Sequence, residues 1–520
     1  MAGFVSIVGA GPWDPELLTL AGRDRLCRAD VVIADYLVNP TLLMHCRADV
    51  EIHQRIAGPC SGTKLNQARI HELLVEEALA GRRVVRLKGG DPMIFGRGCE
   101  EAEVLREHGI DYEFVPGVSA SIAAAEAAGI PLTHRDHTPA VSIVSGFEAY
   151  EKGGLHVAWD HLAKGAGTIV LMMSVRNCRK NAARLIEAGR DKTTPAALIR
   201  WGTRGIMRTL VATLATIADE AEAAGLRAPA VLVVGSVVDL RARIEWFERR
   251  PLFGRRVIVT RANHQAGELI HMLAAKGADA VAFPCLAIAP PDDADALARE
   301  VAELPARDGL ILSSPNGVEA FFDALRATGQ DARSLSGKTV AVIGTGTAKH
   351  CEARGLRPDL IPTEPRAEGL CDELRARRLL TQSWLHVRAD EGRALLQAAI
   401  QGAGGDYHLA IGYRTIRPKV PTMLVRSLRA PSEGGEGCDA IAFASGKSAR
   451  HFVETMTEHA GADETRAILA RAQVIALGPV TAAAAAAIGI RVDRVAVSTD
   501  DASMLAAILE VCGPKPKLSS

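Results

Sequence analysis

The sequence predicts an α/β protein of more than one domain, and three observations carry that prediction. Short Val- and Ile-rich runs recur along the whole chain, each leading into a small or polar loop and then a stretch of helical period. That alternation fits sheets covered by helices on their faces. A length of 520 residues exceeds what one ordinary core supports, so several domains are expected. Finally, the segment Trp246–Arg256, WFERRPLFGRR, breaks the pattern with a proline and four arginines, which places a boundary near Glu248.

The first strand is Phe4 to Val8, running into Gly9-Ala-Gly-Pro-Trp-Asp-Pro-Glu16. This loop lacks the third glycine of a dinucleotide fingerprint, and Pro12 interrupts the spacing. Pro15 and Glu16 are expected to begin a helix through Leu17, Leu18 and Leu20. Ala29–Tyr36 reads as a buried strand whose Asp35 is either a helix cap or a site carboxylate. A helix follows near Gln67–Leu79.

The stretch Val84–Glu101, VVRLKGGDPMIFGRGCEE, organises the rest. Val84, Val85 and Leu87 form a strand. Gly89 and Gly90 remove side chains where the backbone turns or a ligand approaches. Asp91 offers a carboxylate at the strand's carboxyl end, the edge where open α/β sheets bind ligands. Pro92 is placed to begin a helix. An ordinary strand-to-helix turn would use the same four residues. Tyr112–Val115 is a further strand, entering Pro116-Gly-Val-Ser-Ala-Ser121 and an alanine-rich helix, and Gly129–Asp136 adds a charged loop.

Beyond the boundary, Arg256–Thr260 and Ala280–Pro284 are strands flanking an amphipathic helix, Gln265–Lys276. A pseudo-repeat then appears. Leu310–Phe322 resembles Ala440–Phe452, and Val340–Thr347 resembles Val474–Thr481. Each copy reads strand, small-polar loop, helix, twice over, which predicts two similar α/β lobes. Ser313, Ser314, Ser445, Thr347 and Thr481 supply hydroxyls near helix starts, suited either to capping or to binding carboxylates.

Composition excludes several classes. Acidic and basic residues balance at 61 each, so no global field argues for nucleic acid or an anionic membrane. A polyanionic substrate would have to be held by local clusters. No apolar run reaches a membrane span, and the N-terminus carries no signal-peptide pattern. The ten cysteines are scattered without a C-x-x-C pair, which suits reduced thiols in the cytoplasm and gives no metal site.

Taken in order, VGAGPWDPELLTL, ADVVIADYLV, VVRLKGGDPMIFGRG, VPGVSA, GIPLTHRD, TIVLMMSV, ALIRWGTRG and PAVLVVGSVV resemble uroporphyrinogen-III C-methyltransferase over residues 1–248. The resemblance implies a two-lobed fold binding S-adenosyl-L-methionine through Pro12, Gly89, Gly90, Asp91, Ile94, Ser119, Ala120, Met173, Gly202 and Ala230. It assigns proton removal to Asp35 and makes Arg97, His134 and Arg135 partners for substrate carboxylates, with surface ion pairing as the competing account. Two departures stand out. Trp13 replaces the family's glycine, and Arg55 replaces a lysine proposed as proton donor. A guanidinium keeps its proton, so Arg55 is read as a carboxylate clamp.

VTRANHQAGELIHMLAAKGADAVAFP, SSPNGVEAFF, Leu385–Asp390 and Ile411–Thr415 resemble uroporphyrinogen-III synthase over residues 254–512. That implies a 254–520 domain with lobes 254–288 plus 418–512 and 289–417, joined to the first half by a linker at 249–253. It makes Tyr413 the acid or hydrogen-bond donor and Arg388 a carboxylate contact, with no cofactor. The combined expectation is a cytoplasmic enzyme of tetrapyrrole biosynthesis, homodimeric through its methyltransferase half, with no nucleic-acid or membrane partner. Methylation of a later corrin precursor and non-catalytic tetrapyrrole binding are the rival readings.

Overall fold

The computed structural model describes residues 3–47, 49–54, 66–147, 157–165, 167–261, 263–420, 422–433 and 435–513. Packing divides the chain into two compact bodies, Met1–Pro284 with Val420–Ser520, and Cys285–Lys419.

The first body holds three sheets. Strands β1 (Phe4–Gly9), β2 (Val31–Ala34), β3 (Glu51–Gln54), β4 (Arg83–Lys88) and β5 (Asp111–Val115) form the first, in the order β3-β2-β4-β1-β5. Every pairing in it is parallel. Val5, Ile7, Val31, Ile33 and Val84 fill one face, and Val8, Val32, Val85 and Leu87 the other, as a sheet covered on both sides requires. With all strands parallel, the loops after β1, β4 and β5 emerge side by side at one edge.

The second sheet comprises β6 (Val141–Ser145), β7 (Thr168–Met172), β8 (Pro195–Arg200), β9 (Arg208–Thr213) and β10 (Ala230–Val234), ordered β6-β7-β10-β8-β9. Only β6 and β7 pair in parallel. The helix Ala120–Ala127 lays Ala124, Ala125 and Ala127 on Val170, Ile199, Val231 and Val233. Alanine keeps that helix close to neighbouring backbone: a Cβ on Gly202 would collide with Ala124.

The third sheet is parallel throughout, with Asp279–Ala282, Arg256–Val259, Ala440–Phe443, Gln473–Ala476 and Arg494–Val495 in spatial order. In the second body the order is Ala287–Ala289, Asp406–Ile416, Ser383–Ala389, Gly309–Leu312 and Thr339–Val342, with only the first pair antiparallel. No helix among the described residues is long and apolar enough to cross a membrane.

The helix Gln67–Leu79 spans the residues its apolar period predicts. Two expected helices differ. From Pro15 the chain makes only a 3-10 turn, Pro15–Leu17; Leu18 is extended, and Thr19 Oγ1 accepts from Gly22 N to start a new helix, Leu20–Arg28. Pro92 begins no helix either. Asp91 Oδ1 takes the amides of Met93 and Ile94, Phe95 and Arg97 adopt positive φ, and the helix starts only at Gly98. An aspartate bonded to the backbone two residues on makes a turn and competes with helix there.

Candidate functional site

The loops after β1, β4 and β5 meet almost backbone to backbone. Gly90 N donates to Gly11 O (2.8 Å) and Gly11 N to Gly90 O (3.2 Å). A Cβ on Gly9 would lie 2.5 Å from Gly117 N, and one on Gly117 would collide with Gly90 O. Gly90 turns at φ +70°, a conformation glycine alone adopts without strain. Asp91 ties the junction together: its Oδ2 accepts from Gly117 N at 3.0 Å while Oδ1 holds its own turn. The nearest atom to a Cβ on Gly89 is Leu37 Cβ at 3.4 Å, and to one on Gly90 the Ala120 N at 3.6 Å, so these glycines and Ser119-Ala120 keep a shallow cradle clear.

Residues from the second sheet join this junction. Thr203 Oγ1 donates to Pro12 O at 3.3 Å, and Gly202 packs on the helix that Ser119 caps. Met173 directly follows β7, and Ala230 opens β10; the register of the pair brings those two ends together. Met173 adopts φ +56° with half its surface exposed, and Ile94 is likewise exposed, so neither is core packing.

Asp35 caps no helix in the structure; Asn39 caps the 3-10 helix Pro40–His45 that follows. Its Oδ1 instead accepts from Arg86 Nη2 at 2.6 Å. Arg86 is fully buried and belongs to a charge cluster that sequence reading missed. Glu101 Oε1, with no solvent exposure, accepts from Arg86 Nε (3.0 Å), Lys88 Nζ (2.8 Å) and Gln67 Nε2 (3.1 Å). Burial opposes the Arg86 charge, but Asp35 and Glu101 outweigh it and hold its pKa above the ordinary value. Burial, then the nearby Arg86 charge, lowers that of Lys88. The available signal was the alternation in VVRLK, which puts both cations on one face of a strand that is otherwise apolar.

Arg97 forms a two-pronged ion pair with Glu100 (2.9 and 2.7 Å) on the surface. His134 is held in its own turn, accepting at Nδ1 from Asp136 N at 3.1 Å, and Arg135 is exposed. Arg55 lies outside the described residues. Trp13 sits at φ +129°, a region that glycine tolerates and a bulky residue does not, and its ring packs edge to face on Trp201 at 5.8 Å.

In the second body, Tyr413 Oη and Ser314 Oγ lie 2.9 Å apart. Ser314 also caps the helix Pro315–Ala327 by accepting from Gly317 N at 3.1 Å. Arg388 packs over Gly392, where a Cβ would collide with the guanidinium, and its buried Nε and Nη1 find no hydrogen-bond partner among the described residues. The neighbouring His386 is buried, with Nδ1 2.8 Å from Tyr407 Oη; burial, and then the Arg388 charge, push its pKa down to about 3. Ser313 is half-buried and caps nothing. Thr347 is buried inside a first helical turn whose cap is Gly344. In the first body Ser445 caps Gly446–Ala460 with a full capping box, and Thr481 is buried in a turn capped by Gly478.

These features define a fusion of two α/β parts, one built round a small-residue loop junction and one round a repeated strand–helix unit. Residues 5–218 match the model of the tetrapyrrole (corrin/porphyrin) methylases, and residues 267–506 that of uroporphyrinogen-III synthase HemD. The chain belongs to the tetrapyrrole methylase family through its first half and to the uroporphyrinogen-III synthase family through its second. Porphyrin biosynthesis protein HemD of Ruminiclostridium josui is 38% identical over 69% of this chain and 71% of that protein. The S-adenosyl-L-methionine-dependent uroporphyrinogen III methyltransferase of Methanosarcina barkeri is 45% identical over 46% of this chain and 93% of its own. A crystal structure of uroporphyrin III C-methyltransferase from Thermus thermophilus, 36% identical, covers 46% of this chain and 94% of that one with a TM-score of 0.39.

Proposed function

We propose that the second half closes hydroxymethylbilane to uroporphyrinogen III and that the first half methylates this product twice to precorrin-2. The observation that carries the methylation reading is the small-residue junction at the strand ends, with a carboxylate held beside it. Asp35 N donates to Leu87 O at 3.0 Å, directly ahead of Gly89 and Gly90. S-adenosyl-L-methionine supplies an electrophilic methyl group, and the residues fit it. Gly89, Gly90, Ser119 and Ala120 keep backbone accessible to its polar parts, while Ile94 and Met173 offer apolar surface.

Electrophilic attack on a pyrrole carbon requires loss of a proton from the macrocycle, and Asp35 is the base. Arg86 orients it through a 2.6 Å contact, and Glu101 keeps Arg86 aimed. Arg55, Arg97, His134 and Arg135 are assigned to substrate carboxylates, and aligning the two reactants is the larger part of the protein's task. In the second half, Tyr413 assists departure of hydroxide, and Arg388 offers its unpaired donors to a carboxylate. Domain limits of 1–248 and 254–520, and a homodimer through the first half, go with this reading.

The test is mass analysis of what the purified chain makes from hydroxymethylbilane and S-adenosyl-L-methionine. The expected product carries two added methyl groups. Cyclisation without methylation would sink the assignment of the first half. Arg86→Gln should lower the methylation rate at least tenfold, because the Asp35 carboxylate loses the partner that orients it.

A further inference from the structure

Loop 10–14, which carries Pro12 and touches Gly90 through Gly11, is fastened to the third sheet by one buried cation. The Arg204 guanidinium lies 4.2 Å from the Trp13 ring centroid and 4.5 Å from that of Trp201. Its Nε and Nη2 donate to Asp279 Oδ1 (3.0 Å) and Oδ2 (2.8 Å), and Nη2 also reaches Glu436 Oε2 at 3.1 Å. Asp279 opens the edge strand of the third sheet and is buried. Arg256 flanks it at 3.5 Å and pairs with Glu436. Burial works against the Asp279 charge, yet Arg204 and Arg256 hold its pKa below the ordinary carboxylate range.

The surrounding contact is tightly built. A Cβ on Gly205 would collide with the backbone of Ala278 and Asp279, and Gly254 N donates to Gly205 O at 2.7 Å. The cavity left among Trp13, Arg204, Ile270 and Ala278 is only ≈ 20 Å³. Residues 249–253 are part of this packing: Leu252 is fully buried in the core of the third sheet, and Arg250 lies 4.6 Å from the Trp246 ring centroid.

Trp13 is the unexpected member. A tryptophan at φ +129° is strained by itself and persists only where its surroundings over-determine it. Three contacts do so. Arg204 stacks on the ring, Asn39 Nδ2 donates to Trp13 O at 2.9 Å, and Thr203 Oγ1 bridges Pro12 O and Asp14 N, both at 3.3 Å. Desolvation of a cation between two rings strengthens such a stack.

We propose that Trp13 and Arg204 are positioning residues through which Asp279, in the synthase-family half, sets the affinity of the methylase-family half for its cofactor. The path is short: Asp279 fixes Arg204, Arg204 fixes Trp13, and two residues before Trp13 the backbone of Gly11 bonds both ways to Gly90. The proposal rests on the reading of the Gly89–Asp91 junction as the S-adenosyl-L-methionine site.

The experiment is calorimetric titration of the full chain with S-adenosylhomocysteine, for wild type, Asp279→Asn, Trp13→Gly and the double variant, alongside thermal unfolding. Asp279→Asn should weaken binding at least fivefold. In the Trp13→Gly background the same change should have no further effect, because the link it acts through is gone. Trp13→Phe, which keeps a ring for Arg204, should stay within about twofold of wild type. Equal affinity in Asp279→Asn and wild type overturns the proposal, as does an equal loss in both backgrounds. Should Asp279→Asn not fold, Glu436→Gln, partly exposed, carries the same comparison. A wild-type chain that binds no S-adenosylhomocysteine would instead overturn the reading of the junction itself.

Discussion

The two copies of the strand–helix repeat fold alike and are equipped differently. In the second body, Gly309–Leu312 leads to Ser314 and the helix Pro315–Ala327; in the first, Ala440–Phe443 leads to Ser445 and Gly446–Ala460. The cap serines share a backbone conformation, φ −158° and ψ 158° in one, φ −158° and ψ 160° in the other. The second units agree too, with Gly344 and Gly478 as caps and Thr347 and Thr481 buried at the same turn. What differs is the partner of each serine. Ser314 reaches Tyr413 Oη, whereas Ser445 closes on Ser448 in a capping box, and Ser448 in turn meets Thr260 at 3.3 Å. Local sequence thus sets the scaffold twice, while a residue from a distant strand gives one cap serine a tyrosine partner that the other lacks.

The largest effect that separates the copies should be acid sensitivity. The second body buries His386 with a pKa of about 3, and no histidine lies on the strands of the third sheet. A histidine held neutral in the fold contributes stability above its unfolded pKa near 6.5, and that contribution is lost as pH falls toward the folded value. The loss between about pH 6.5 and 3 can reach roughly 5 kcal/mol. Hydrogen exchange of peptides from residues 285–419 should therefore accelerate on acidification well before that of residues 440–487, and His386→Gln should flatten the difference. Parallel acceleration of both regions in wild type would contradict this.

Next in size is Tyr413→Phe, which keeps the ring and removes the hydroxyl that meets Ser314. Cyclisation of hydroxymethylbilane should slow by about tenfold or more, with a larger share of the spontaneous, uninverted isomer. An unchanged rate and isomer ratio would reduce Tyr413 to a packing residue.

The smallest effects come from the caps. Ser314→Ala and Ser445→Ala should each cost about 1 kcal/mol of stability. Only Ser314→Ala should also slow cyclisation, since only Ser314 touches Tyr413. Urea unfolding and steady-state rates on the same preparations measure both, and equal slowing by the two would dissolve the asymmetry.

The repeat also shows how far sequence reading reached. Aligning Leu310–Phe322 on Ala440–Phe452 pairs Phe322 with Phe452, but the structure is shifted by one: Gly309 matches Ala440, Ser314 matches Ser445, and the fully buried Phe321 matches Phe452. Apolar strand residues are interchangeable enough that they do not fix a register, whereas a cap hydroxyl does. The same logic applies at Asp91, where proline suggested a helix start and the carboxylate's bonds to Met93 and Ile94 imposed a turn.

By itself the sequence determined the α/β class, the helix Gln67–Leu79, the doubled lobes, and the glycine-rich junction. All of these depend on periodicity or on backbone freedom, which neighbouring residues specify. Only the tertiary structure showed that Arg86, Lys88 and Glu101 are buried around Asp35, that Trp13 is held at positive φ by Arg204, and that Arg204 finds its carboxylate in Asp279. Buried charges require partners, and those partners come from elements far apart in the chain. Residue type alone names the charge; the fold chooses its counter-ion.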